Sequence, residues 1–253
     1  MPQIAALSLM VLLPWMAATG SEGNLRAVID WSRWDAMLRA HVVDGQVNYD
    51  AIAADPDFAV IVTDIADAAL EGSTHDAVVA FYINAYNVLA VQGILNGSSP
   101  KSGFGKLRFF FRDRYTVAGE TFSLHALEKQ RIRTLGNPRI HFAIVCASSS
   151  CPPLRSEAYI PRRLDEQLDD NARRFINDPV KNRFDTVSGK AQVSKVFKWF
   201  PEDFETVAGS VQDYIARYVE DEQVARTLRG GRFKLRYLEY DWSLNGTFST
   251  TKR

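Results

Sequence analysis

Cysteine is scarce in this chain, with Cys146 and Cys151 the two examples in 253 residues. So small a number excludes a disulfide-dense scaffold and permits at most one internal bridge. No Cys-x-x-Cys pair occurs, so the spacing favoured by many zinc sites is missing, and neither a metal nor another cofactor is expected. An excess of either charge is missing too. Thirty Lys and Arg balance thirty Asp and Glu, which leaves no basic face for nucleic acid and no acidic tail. Charge is wholly absent from the first twenty residues. There Ile4 to Leu13 is an apolar run, Pro14 interrupts it, and Ala17, Ala18, Thr19 and Gly20 precede Ser21. The run falls short of the roughly twenty apolar residues that a membrane span needs. Its layout is that of a secretory signal over 1–20, removed near Ala18 to Gly20. A periplasmic or secreted chain with no stable membrane anchor after that removal is therefore expected. Repeats, low-complexity tracts and long linkers are also lacking. With 46% hydrophobic residues, the stretch 24–253 is expected to form a single domain.

What is present reads as helices around short strands. Asn24 to His41 has helical spacing with its tryptophans on the apolar face. Ala51 to Leu70 is alanine-rich and helical, and Thr74 can cap the helix that follows. That helix, His75 to Leu95, is apolar nearly all round, which predicts burial. Its polar exceptions are Tyr82, Asn84 and Asn87. The two amides share a face, so they either satisfy core backbone groups or line a pocket. Asn96 to Gly105 is a loop by composition, and the phenylalanines of Lys106 to Arg114 belong to core or lid. Tyr115 to Phe122 has the pattern of a β-hairpin turning at Gly119-Glu120, and Ser123 can cap a helix to about Leu135. Pro161 to Phe175 is an amphipathic helix; short strands flank Ser188 to Lys190, and another follows Gly230-Gly231. The architecture predicted is a single α+β domain, with several helices packed on a small antiparallel sheet.

Both cysteines fall within Asn137 to Leu154, NPRIHFAIVCASSSCPPL, along with His141. Ile140 to Ala147 is apolar and rich in β-branched and aromatic types, which predicts a buried strand. Ser148 to Pro153 is turn chemistry that presents Cys151 at a loop mouth. Pro152 suits the first position of a helix, which would place the Cys151 sulfur at the positive end of the dipole. His141 is then the nearest base and Glu128 a carboxylate able to orient it, giving a Cys151, His141, Glu128 set. Strand parity puts Cys146 on the face opposite His141, as a small buried hydrophobe. Three readings stay open at this point: a Cys146–Cys151 disulfide or inert thiols, a catalytic or thiol-exchanging Cys151, and a metal site.

Five segments together resemble the family called domain of unknown function 547. They are FYINAYN (Phe81 to Asn87), SLHALE (Ser123 to Glu128), NPRIHFAIVCASSSCPPLRSEAY (Asn137 to Tyr159), SKVFKWFPEDF (Ser194 to Phe204) and YDWSLN (Tyr240 to Asn245). The resemblance implies that Glu128, His141 and Cys151 occupy characteristic positions, with Asn84, Asn87 and Arg155 alongside. Tyr82, Asn84, Asn87 and Arg155 are accordingly expected to bind substrate. More loosely, the Cys-His logic is similar to that of papain-like and transglutaminase-like enzymes, with His before Cys and hence in permuted order. The implied activity is a thiol-dependent hydrolase or acyl transferase on an amide or thioester. Its alternatives are a thiol-redox module exchanging with a small thiol such as glutathione, and a non-catalytic interaction domain. The expected partner is a small thiol or a peptide-like substrate, and the oligomeric state is left open.

Overall fold

The computed structural model describes residues 29–249, so the expected signal and its cleavage point lie outside the described residues. At the centre runs the helix His75–Leu95, 21 residues long and capped by Thr74, whose hydroxyl accepts from the Ala77 N–H at 3.3 Å. Its length and composition would suffice to cross a membrane, but its apolar surface is buried within the protein. Around it pack Tyr49–Ala54, Asp57–Ala66, Leu124–Leu127 and the helical turn Glu128–Ile132, while Ser32–His41 packs in turn on the first two of these. Trp34 and Trp31 face inward, as their spacing predicts. Pro56 splits the single helix expected over 51–70 into two, because its ring lacks the N–H that a continuous helix needs there.

The fold is α+β, with strands in three small sheets rather than one. Val42–Val43 and Gln46–Asn48 pair antiparallel, and Gly246–Thr247 adds in parallel to Gln46–Asn48, bringing the end of the chain back to its start. A Cβ on Gly246 would lie 2.0 Å from the Val47 carbonyl oxygen, so this closure needs glycine. The hairpin Tyr115–Val117 with Glu120–Phe122 turns at Ala118-Gly119, one residue earlier than expected, with φ of 48° and 77°. Positive φ at both positions matches the twist of a tight hairpin. Arg183–Asp185, Lys190–Val193 and Lys234–Tyr237 form the third sheet, which combines antiparallel and parallel pairing.

The predicted strand over Ile140 to Ala147 does not form. Pro138–Phe142 is instead a 3₁₀ turn, started by the Asn137 side chain accepting from the Arg139 N–H. The residues after it run irregularly through the interior. Side chains take the place of a strand partner: Asn87 donates to the Ala143 carbonyl at 3.0 Å and accepts from the Val145 N–H at 2.8 Å. Asn171 donates to the Phe142 carbonyl at 2.9 Å. Buried backbone groups must be paired, and amides from two helices pair these. The segment is apolar because it divides two hydrophobic clusters. Ile140, Ala143, Ile144 and Val145 join the one around the central helix, whereas Phe142 enters a second with Phe175, Phe197, Phe204 and Tyr214.

No helix begins at Pro152 either. The next one, Leu164–Asn177, starts more than ten residues later behind the 3₁₀ turn Pro161–Arg163. Cys151 therefore has no helix dipole behind it.

Candidate functional site

A cavity of about 530 Å³ opens between the two clusters, and His141, Cys146, Cys151 and Glu128 all line it. Its walls are aromatic: Phe110, Phe111, Trp199, Phe200, Tyr240 and Trp242. The cysteines meet because Ala147 adopts a left-handed φ of 57°, a conformation that is rare outside glycine and clusters at functional sites. The chain then turns, with the Cys151 N–H donating to the Ser148 carbonyl at 3.0 Å. Distant chain fixes the loop from outside: Ser149 N–H donates to the Ser243 carbonyl, and Ser150 N–H to that of Asp241. The result is an Sγ to Sγ distance of 2.8 Å, with the Cys146 N–H pointing at the Cys151 sulfur. Both thiols are free.

The two sulfurs are not equivalent. Cys146 is half-buried and Cys151 buried. Around Cys146 Sγ lie Ser148 Oγ at 3.1 Å, the Tyr240 hydroxyl at 3.3 Å and the Cys151 thiol. Burial by itself would push the Cys146 thiol up, but those hydrogen bonds outweigh it and bring it down to about 7. Burial pushes Cys151 well above the ordinary thiol range, and its place as donor to Cys146 pushes it further. Burial and the neighbouring sulfurs likewise keep Tyr240 protonated, so it stays a donor. Cys146, expected on the face opposite His141, thus shares the cavity with it and with Cys151, its thiol lowered by the hydrogen bonds around it while that of Cys151 is raised.

The second correction concerns the carboxylate. His141 Nε2 lies 2.7 Å from Asp203 Oδ2, and Arg133 grips the same carboxylate through Nε at 2.8 Å and Nη2 at 2.7 Å. Glu128 is not the partner of His141. Hydrogen bonds from His141 and Arg133 hold the Asp203 carboxyl far below its usual range despite burial. Burial lowers His141, with Asp203 opposing in part, so the imidazole is neutral near pH 7. An ionised carboxylate can only accept, so Nε2 carries the hydrogen and Nδ1 keeps its lone pair. Nδ1 makes no hydrogen bond among the described residues. The ring is held flat against Phe200, centroids 4.0 Å apart. Glu128 has a different character: burial, helped by the charges at Cys146 and Asp203 and opposed by Arg133, raises it to about 7. It makes no ion pair among the described residues, and near neutrality it is half protonated.

The remaining expected substrate contacts lie elsewhere. Asn84 donates to the Tyr159 carbonyl at 2.8 Å and accepts from the Tyr159 N–H at 3.0 Å, fixing the segment after the cysteine loop. Asn87 is spent on Ala143 and Val145, as above. Arg155 is locked against Glu157, Asp170 and Asn171. Tyr82 packs edge-on against Phe81. None of the four lines the cavity. Among the described residues no group of three or more His, Cys, Asp or Glu is placed to hold a metal ion.

Sequence reasoning missed Asp203, Tyr240 and the aromatic walls. Asp203 stands in the first turn of Pro201–Ala208, where an acidic residue is ordinary helix chemistry; its one mark in the sequence is its place in the segment Ser194 to Phe204.

No curated protein and no solved structure matches this chain. Residues 70–176, which include Glu128, His141 and both cysteines, match the family described as "Protein of unknown function, DUF547".

Proposed function

We propose that this chain is a thiol-dependent enzyme that transfers or hydrolyses an acyl group held as an amide or thioester. The observation that supports this reading best is one cavity lined by an acidic thiol at Cys146, a neutral His141 with Nδ1 open, and a proton-bearing Glu128. Nucleophile, base and acid are the three groups such a reaction needs. The Cys146 thiolate attacks the carbonyl carbon and the acyl group becomes a thioester on its sulfur. The departing amine or thiol takes a proton from Glu128. Water then attacks the thioester, His141 Nδ1 accepts the water's proton, the carboxylic acid leaves as the thiolate re-forms, and the proton passes from the imidazolium through water to Glu128, restoring both groups. Asp203 keeps the imidazole in the tautomer that can do this. The uncharged apolar stretch near Met1 supports a place of action in the periplasm or outside the cell.

An activated acyl thioester incubated with the reduced protein should leave an acyl adduct on the Cys146 peptide, detectable by mass spectrometry. Cys146→Ala should abolish the adduct, while Cys151→Ala should retain it. Acylation at Cys151, or at neither cysteine, would overturn the reading.

The 2.8 Å sulfur contact favours a second reading, thiol–disulfide exchange. Cys146 would attack the disulfide of a small molecule, releasing one thiol, and Cys151 would displace the other to close a Cys146–Cys151 bond. Protein isolated without reductant would then weigh two hydrogens less, or carry a small thiol.

A further inference from the structure

Beside the cavity mouth stands a helical stretch, Gly103–Leu107 continuing into Arg108–Arg112, with three large apolar side chains turned to solvent. Phe104 is 69% exposed, Leu107 42% and Phe111 46%. The spacings of three and four place them along one face. Phe109 beneath is fully buried and roots the stretch in the core. The stretch is also a lip of the cavity: Phe110 packs on the Trp242 ring at 6.2 Å, and Lys106 Nζ lies 4.0 Å over the same ring. The apolar face thus runs on into the apolar cavity.

The charge around this face is one-sided in a chain whose net charge is zero. Between 101 and 114 stand Lys101, Lys106, Arg108, Arg112 and Arg114, against Asp113 alone. Asp113 is paired with Arg108, and the other four cations have no ion-pair partner among the described residues. Exposed aromatic and aliphatic side chains bordered by cations without acidic partners are the composition of a helix that lies in a bilayer interface, its apolar face among the acyl chains and its cations at anionic headgroups.

We propose that Gly103–Arg112 docks this protein on an anionic lipid surface and presents the cavity mouth to it. This inference stands independently of the acyl-transfer reading, because it concerns binding alone.

The test is co-sedimentation of the full chain with vesicles of phosphatidylcholine, with and without phosphatidylglycerol. The comparison variants are Phe104→Ser with Leu107→Ser, and Lys101→Glu with Arg112→Glu. All four positions are exposed or outside the cavity, so folding should persist, which circular dichroism checks. Every protein carries the same residues 1–28, so differences report on the helix. Expected are binding to the anionic vesicles that weakens with salt, weaker binding to neutral ones, and a loss of about tenfold or more in either variant. Variants that bind as well as the parent, or no binding by the parent, would overturn the proposal. So would a concentration-dependent dimer that the Phe104/Leu107 variant abolishes, because the face would then belong to a second copy.

Discussion

Glu128 shows how far burial can move a single side chain from the role its sequence position suggests. Placed at the end of the motif that precedes the one holding His141, it reads as the carboxylate that orients the ring, yet the hydrogen bond to the ring comes from Asp203. The reason is electrostatic. Asp203 has Arg133 and His141 to stabilise its charge, whereas Glu128 faces an apolar cavity beside a sulfur that is itself prone to ionise. A definite pH dependence follows. In the unfolded chain Glu128 loses its proton near the usual 4.5, and in the folded protein only near 7. Its contribution to stability is fully present below pH 4.5, declines as the pH rises, and is gone above 7. Glu128→Gln should therefore raise folding stability at pH 8, by about 1 kcal/mol once partial solvent screening is allowed for, and change it little at pH 4.5. Urea denaturation at the two pH values checks this; equal effects at both would refute it.

At the scale of elements, the decisive structure is a segment with no regular conformation. Ile140 to Ala147 has the composition of a strand, and a short apolar run cannot by itself reveal whether its neighbours are strands or side chains. The partners that settle it, Asn87 and Asn171, sit on helices 58 and 29 residues away. The burial of the central helix was legible because an all-round apolar surface has few other places to go. The hydrogen-bonding role of its amides was one of two open readings, and the backbone of the cysteine segment decides between them. Asn87→Ala would strand the Ala143 carbonyl and the Val145 N–H in the core. Each unpaired buried group costs about 1–3 kcal/mol, so a total loss of about 2–6 kcal/mol is expected in chemical denaturation. Because Cys146 follows Val145 directly, the same variant should slow alkylation of Cys146. A variant as stable and as reactive as the parent would show that the amide supports nothing.

Across the whole molecule, the site is a seam. Its acid, base and sulfurs come from a stretch of chain that one motif-bearing region supplies, and that much could be read from the sequence. The groups that tune them come from far off: Asp203 lies 62 residues from His141, and Tyr240 lies 94 from Cys146. Both stand in segments that carry the family resemblance, but nothing local ties either to its partner until two hydrophobic clusters close around the cysteine loop. The lowering of the Cys146 thiol accordingly rests on a loop that the fold closes, with Cys151 and Ser148 supplied from beside it and Tyr240 from far off. The most direct test is the pH profile of iodoacetamide alkylation of the reduced protein, mapped to each cysteine by mass spectrometry, in buffer and in denaturant. The folded protein should label at Cys146 with a midpoint near 7 and leave Cys151 almost unmodified, whereas the unfolded chain should label both equally, with a midpoint near the ordinary thiol value of about 8.5. Preferential labelling of Cys151 in the folded protein, or a Cys146 midpoint that unfolding does not move, would contradict the account.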